Sequence, residues 1–181
     1  MAGFQTKTFS KHDDYMTPLS AWKAIESFIP KDKLIWDPFF GDGSSAEHFE
    51  ALGINPEKIH HKDEDFFTSD PGTYSVDLIV TNPPFSQIPA ILKRMKEMGF
   101  PFIMIMPSSK ICTQYFRRTF AKDEDPIQII IPRKRIQFEK KLWCENCEEY
   151  HDDPSDKKSC NFDCFYYCWK MNLERDIIWL E

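Results

Sequence analysis

Apolar positions in this chain alternate between two rhythms, one of helical spacing and one of short continuous runs. Leu19, Trp22, Ile25 and Phe28 fall at helical spacing, and Thr17 as N-cap with Pro18 as first helical residue predicts a helix from Leu19 to Phe28. Lys33 to Trp36 reads as a short strand, followed by a glycine-bearing turn and a helix through Leu52 that Gly53 stops. Ile59–His61 and Val76–Thr81 are further strand candidates. Ile88, Ile91, Leu92 and Met95 mark an amphipathic helix over Ile88–Met98, ended by Gly99. Phe102 to Met106, enclosed by Pro101 and Pro107, is a continuous apolar run of the kind buried on both faces of a sheet. A helix over Cys112–Phe120, a strand over Ile127–Ile131 and a last strand within Phe162–Met171 follow. That last segment sets Cys164 and Cys168 on one sheet face, as buried thiols. Alternating strands and helices with short connections predict an α/β fold with a doubly wound, mostly parallel sheet.

The strand ending at Thr81 runs into Asn82-Pro83-Pro84-Phe85. Two consecutive prolines have no N–H to donate and a fixed φ, so the ladder stops at Asn82 and a stiff loop begins. In open α/β sheets this carboxyl edge is where ligands bind. The loop offers an amide (Asn82), proline carbonyls and an aromatic face (Phe85), which suits a planar group carrying an NH2. A strand end with a tight turn would account for the same residues.

A second motif sits at the tip of the first strand: Asp37-Pro38-Phe39-Phe40-Gly41-Asp42-Gly43-Ser44-Ser45-Ala46. The spacing Gly41-x-Gly43-x-x-Ala46 matches the strand–turn–helix fingerprint of nucleotide-cofactor folds. The first glycine permits the turn, the second lets a ligand approach the backbone, and the small third residue lets helix and strand pack closely. Some 20 residues on, where such folds place an acid for a ribose, Asp63 and Asp65 both qualify. His60 and His61 read as strand-edge residues.

Composition narrows the partners. At 181 residues, 41% apolar and with 16 phenylalanines, the chain reads as one domain over 1–181 with a sizeable core. No apolar run approaches the ~18 residues of a membrane span, and the N-terminus has no signal-peptide core. An intracellular protein is therefore expected, in cytoplasm or nucleus, neither secreted nor membrane-bound. Nothing in the sequence sets an oligomeric state. The formal charge of −6 gives no global attraction to nucleic acid. The one basic cluster is Arg133, Lys134, Arg135, Lys140 and Lys141, interleaved with Phe138. It reads either as a solvated loop or, beside the Asn82 loop, as a phosphate-contacting patch.

Six cysteines in an intracellular setting read first as metal ligands or buried thiols. Cys144-x-x-Cys147-x-x-x-His151, with Cys160 beyond, has the spacing of a structural zinc site. Cys164 or Cys168 could replace His151 in that set. The insert 143–161 is too polar to hold its shape by burial, so a Zn2+ clamp is expected there, and the insert is the one sizeable feature left to read a nucleic-acid partner.

Together, Asp37-Pro-Phe-x-Gly-x-Gly and Asn82-Pro-Pro-Phe resemble the paired motifs of S-adenosylmethionine-dependent DNA N6-adenine methyltransferases. Tyr15-x-Thr17-Pro18 is similar to that family's N-terminal cofactor-pocket motif, and Asp65-Phe66-Phe67 to the motif after its second strand. Arg135-Ile136-Gln137-Phe138 resembles the late target-base motif of small phage-type members. The likeness spans residues 14 to about 138 and a final strand. It departs from the family in lacking a recognition domain of ordinary size and in the His61-Lys62 that stands where the ribose acid is expected.

The resemblance implies a Rossmann-like class I methyltransferase fold and S-adenosylmethionine as cofactor, held by Tyr15, Thr17, Pro18, Asp37, Pro38, Phe39, Gly41, Gly43, Asp63, Asp65, Phe66 and Asn82. It implies catalysis by Asn82, Pro83, Pro84 and Phe85. The implied partner is DNA, single-stranded or duplex with a flipped adenine, contacted by Phe85, Arg133, Lys134, Arg135 and Phe138. Related loops occur in enzymes that methylate RNA adenine or a protein glutamine amide. A zinc-bearing nucleic-acid adaptor without catalysis is the other class that fits.

Overall fold

A computed structural model describes residues 15–144, 146–152 and 162–181. Five parallel strands carry the scaffold in chain order: β2 (Ile35–Trp36), β3 (Ile59–His60), β4 (Leu78–Thr81), β5 (Phe102–Pro107) and β6 (Ile127–Ile131). With β9 (Cys164–Trp169) and β10 (Ile177–Trp179) they form one seven-stranded sheet, ordered β10-β6-β9-β5-β4-β2-β3. Only β9 runs antiparallel to its neighbours, β5 and β6. The fold class is the expected one: Rossmann-like, doubly wound and mostly parallel.

Helices α1 (Leu19–Ala24) and α2 (Ser44–Ala51) cover one face of this sheet; α3 (Ile88–Met98) and α4 (Gln114–Phe120) cover the other. Strand alternation divides the core between them. Ile103 and Ile105 of β5 pack with Trp22 and Phe49 on the first face, while Phe102, Met104 and Met106 pack with Ile91, Leu92 and Phe116 on the second. Every residue of β5 is buried, as its uninterrupted apolar run predicts. The buried stripe Ile88, Ile91, Leu92 and Met95 seats α3. Cys164 and Cys168 both point to the first face, and burial pushes the Cys168 thiol up to about 12, leaving it inert. Among the described residues, no helix is long and apolar enough to cross a membrane.

Some boundaries differ from the pattern-based reading. Pro18, extended at φ −68° and ψ 151°, is the N-cap of α1, one residue later than expected, and Thr17 does not cap it. The helix ends at Ala24 and is continued by a 3-10 turn over Glu26–Phe28. A 3-10 turn over Ser108–Cys112 likewise precedes α4.

A second, three-stranded antiparallel sheet was not legible: β1 (Tyr15–Met16), β7 (Glu139–Cys144) and β8 (Glu149–Asp152), in the order β1-β7-β8. β7 and β8 form a hairpin, and Tyr15 pairs with Lys140. Cys144 and Cys147 thus sit at the tip of a ribbon that begins at Glu139 and is stitched to the N-terminal strand.

Candidate functional site

The carboxyl ends of β2 and β4 lie side by side and deliver Asp37 and Asn82 to one place. Asp37 extends β2, its N–H donating to the His60 carbonyl at 3.0 Å. Its carboxylate is only 2% exposed; Oδ1 accepts from Thr81 Oγ1 at 2.5 Å and from the Phe39 N–H at 3.3 Å. His61 approaches from behind, with Nδ1 3.0 Å from the Asp37 carbonyl and 3.9 Å from Oδ2. Burial pushes the Asp37 carboxyl up, and His61, Thr81, Ser45 and the Phe39 amide offset part of that effect.

The glycine loop turns through left-handed backbone at Gly41 (φ +57°) and Gly43 (φ +82°), which a Cβ would disfavour. A Cβ on Gly41 would stand 3.0 Å from Met16 Sδ, and one on Gly43 3.0 Å from Phe40 Cζ. At Gly43 the absent Cβ leaves room for the Phe40 ring. Between them Asp42 Oδ1 accepts from Ser44 N–H (3.1 Å) and Oγ (2.6 Å), and Oδ2 accepts from Lys141 Nζ at 2.7 Å. Burial opposes ionisation of Asp42, but these Lys141 and Ser44 bonds outweigh it and hold the carboxyl below its usual range.

Among the described residues one bond holds Asn82: Nδ2 donates to the Tyr15 backbone carbonyl at 3.5 Å. That partner accepts only, which fixes which end of the amide is nitrogen. The other end, Oδ1, is buried with no hydrogen-bond partner among the described residues. The Pro84 carbonyl accepts from the Gln87 N–H at 3.1 Å, closing a 3-10 turn over Phe85–Gln87. Phe85 meets Phe138 edge-on (6.2 Å, 83°) and Phe162 likewise (5.4 Å, 81°), and Tyr15 contacts both of those rings.

Two adjoining cavities share the Phe39–Gly41 loop as their partition. One is bordered by Tyr15, Thr17, Asp37, Asn82, Pro83 and Tyr150. The other is bordered by Pro38, Asp63, Asp65, Phe66, Pro84 and Gln87. The structure thus brings Tyr15, Thr17, Asp37, Pro38, Phe39, Gly41, Asp63, Asp65, Phe66 and Asn82 around one partitioned cleft. Asp65 Oδ1 is engaged by the Phe67 N–H at 2.9 Å, whereas Asp63 is exposed and also faces Trp143 and Tyr150. Pro18 caps a helix and borders neither cavity.

Phe138 is buried, and Arg133 and Lys134, earlier in the same loop, are exposed. Arg135 Nε is paired with Asp163 Oδ1 at 2.7 Å. On the hairpin, ligand atoms of Cys144, Cys147 and His151 all lie within 4.8 Å of one another, with Cys147 Sγ 2.9 Å from His151 Nε2. Cys160 lies outside the described residues, and Cys164 and Cys168 belong to the core strand.

Sequence reasoning missed Thr81, Lys141, Trp143, Tyr150 and Phe162. Thr81 is adjacent to a motif and was within reach; the others come from the ribbon and its return, whose spacing carries no periodic signal.

No protein-family model matches the chain, and no curated protein matches it. Solved structures similar to it include a candidate class I S-adenosylmethionine-dependent methyltransferase from Listeria monocytogenes, with 15% identity over 98% of this chain and 68% of that one, at a TM-score of 0.49. Another is the tRNA (m1A58) methyltransferase TrmI from Aquifex aeolicus, with 8% identity over 90% of this chain and 72% of that one, at a TM-score of 0.43. The reading of the site rests on its own residues.

Proposed function

We propose that this chain transfers a methyl group from S-adenosylmethionine to the exocyclic N6 amine of adenine in DNA. The observation that carries the reading is Asn82 Oδ1, a buried acceptor without a partner at the carboxyl edge of the sheet. Leaving such an atom unpaired costs about 1–3 kcal/mol, so a donor from a bound molecule is expected there. An amine on a planar ring would supply that donor, and Phe85, in the turn that follows Pro83 and Pro84, is the aromatic residue that would stack on it.

The cleft suits the cofactor. Tyr15, Thr17, Asp37, Phe39 and Gly41 would hold it, with the Asp37 carboxyl available to an ammonium or hydroxyl and the Phe39 and Phe40 rings to a sulfonium. When bound, S-adenosylmethionine supplies an electrophilic methyl on a sulfonium centre. Asn82 accepts one amine hydrogen and the stiff Pro83–Pro84 backbone offers a carbonyl for the other. This draws the nitrogen away from conjugation with the ring and orients its lone pair, so catalysis is mainly positioning. The loss of the amine proton follows bond formation, so no residue here is needed as a prior base. Arg133 and Lys134 would contact phosphates, while Phe85 would receive the extruded or single-stranded base, with buried Phe138 backing the Phe85 ring.

The same reading includes Zn2+ at Cys144, Cys147 and His151, a donor set of two thiolates and an imidazole that suits zinc. The test of function is tritiated methyl transfer to duplex DNA, single-stranded DNA, RNA and a glutamine peptide. Incorporation into adenine of DNA is expected. Incorporation only into RNA or peptide moves the acceptor, and none anywhere overturns the enzyme reading.

A further inference from the structure

We propose that the metal-binding hairpin is a wall of the cofactor cleft, and that zinc occupancy sets cofactor affinity. This inference rests on the reading of the cleft as an S-adenosylmethionine site. It gives the Cys-rich insert a role at the cofactor besides the nucleic-acid recognition expected from sequence.

The register of β7 with β8 sets Trp143 opposite Tyr150, and the two rings meet edge-on at 5.1 Å and 67°. Both border a cavity with Phe40, Gly41, Asp42 and Asp63, and Tyr150 also borders the cleft that holds Asp37 and Asn82. Lys141, two residues before Trp143 and so on the same strand face, is ion-paired with Asp42 of the glycine loop at 2.7 Å. The Trp143 indole nitrogen is buried with no hydrogen-bond partner among the described residues. One side of the ribbon therefore addresses the glycine loop and keeps an unused donor there.

Besides the β1 pairing and the Lys141–Asp42 ion pair, the ribbon draws little on burial among the described residues. Its residues are exposed or half-buried throughout, and β1 contributes only two residues to its outer edge. A two-stranded hairpin is marginal in water without further packing. Cys144 and His151, one from each strand, and Cys147 from the turn lie where one ion would join them. Each neighbours a cleft residue in sequence: Cys144 follows Trp143 and His151 follows Tyr150. Cys144 and His151 lie on the strand face opposite Trp143 and Tyr150, so an ion at the tip would tie together the backbones of the two strands one residue from each ring, and its loss would loosen the wall while leaving β2 and β4 in place.

The experiment uses the full chain, with zinc measured by elemental analysis and affinity for S-adenosylhomocysteine by calorimetry. Protein is compared zinc-loaded, stripped by a chelator, and stripped then resupplied with zinc. The expected result is about one bound zinc, an affinity at least about tenfold weaker after stripping, and recovery on resupply. Cys147→Ser should match the stripped protein and no longer respond to zinc, with circular dichroism reporting whether the main sheet persists. Equal affinity in loaded and stripped protein overturns the inference and leaves the cofactor reading standing. Absence of bound zinc overturns it as well. No binding by zinc-loaded protein removes the cofactor reading, and this inference with it.

Discussion

The Asn82 side-chain nitrogen donates to the backbone carbonyl of Tyr15 at 3.5 Å, which ties the tip of β4 to a strand 67 residues earlier in the chain. Tyr15 is in turn paired with Lys140 of β7. The orientation of the Asn82 amide at the sheet edge therefore depends on a contact between two sheets. With the nitrogen turned to Tyr15, Oδ1 is left without a hydrogen-bond partner among the described residues.

Removing the amide should separate chemistry from binding. Asn82→Ala is expected to lower methyl transfer to below about a tenth of the parent rate, a barrier increase of at least ~1.4 kcal/mol. Cofactor-product affinity should stay within about threefold, because Asp37 and the glycine loop remain. Single-turnover transfer and calorimetry give the two numbers. A variant that keeps more than a tenth of the rate would take Asn82 out of its orienting role.

Asp37→Asn should stabilise the fold while impairing the cleft. Burial raises the Asp37 carboxyl above the ordinary 3.8, so its favourable contribution is complete below that value and is lost as pH rises through the higher folded value. Asparagine keeps an acceptor for Thr81 and the Phe39 amide without the buried charge. The melting temperature should rise by a few degrees at neutral pH, with the gain vanishing toward pH 3.8, and cofactor affinity should fall. A melting temperature lowered equally at both pH values would show that the carboxylate is a net stabiliser.

What the sequence made legible follows from where periodicity exists. β5 between its prolines, α3 with its four-residue stripe and β6 between Pro126 and Pro132 each announce themselves, because both faces or one whole face are buried. The Asn82 loop and the glycine loop were readable because proline and glycine impose backbone constraints that do not depend on partners. β1 and β7 were not, since a two-residue strand has no period and Glu-Lys-Lys-Leu-Trp-Cys alternates poorly. At Gly43 the spacing shows that a left-handed turn is needed, but not that the Phe40 ring packs against it. Lys141 looked like one charge in a basic cluster, and only the fold reveals that it faces Asp42.

That ion pair predicts a pH-dependent anchoring of the ribbon. Lys141→Met should cost about 1 kcal/mol at neutral pH, since the pair is mostly buried on the Asp42 side and accepts further bonds from Ser44. Asp42 is held below 3.8, so its contribution is present above that value and is lost as pH falls through the lower folded one. Lys141 is held above 10.5, so its contribution is complete below 10.5 and is lost only as pH rises through its folded value. Parent and variant melting temperatures should therefore differ across the neutral range and converge at both extremes. A difference that persists unchanged into strong acid would assign the effect to lost packing of the lysine stem.

The basic loop gives the sharpest test of the partner. Arg133, Lys134 and Arg135 follow β6 on an acidic chain, yet they are not equivalent. Arg135 is committed to Asp163, whereas Arg133 and Lys134 are exposed beside the segment that carries buried Phe138. A phosphate backbone bound here would release counterions as Arg133 and Lys134 engage it, so affinity should fall with salt. Changing both to alanine should lower the slope of log affinity against log salt by about 1.8 for duplex DNA, at about 0.9 per phosphate charge. Arg135→Ala should change the slope less, because its charge is already balanced. Fluorescence anisotropy of a labelled oligonucleotide, titrated at several salt concentrations, reads all three slopes. An unchanged slope in the double variant would move the phosphate contacts to another basic segment, with Arg117 and Arg118 in the last turn of α4 the next to alter.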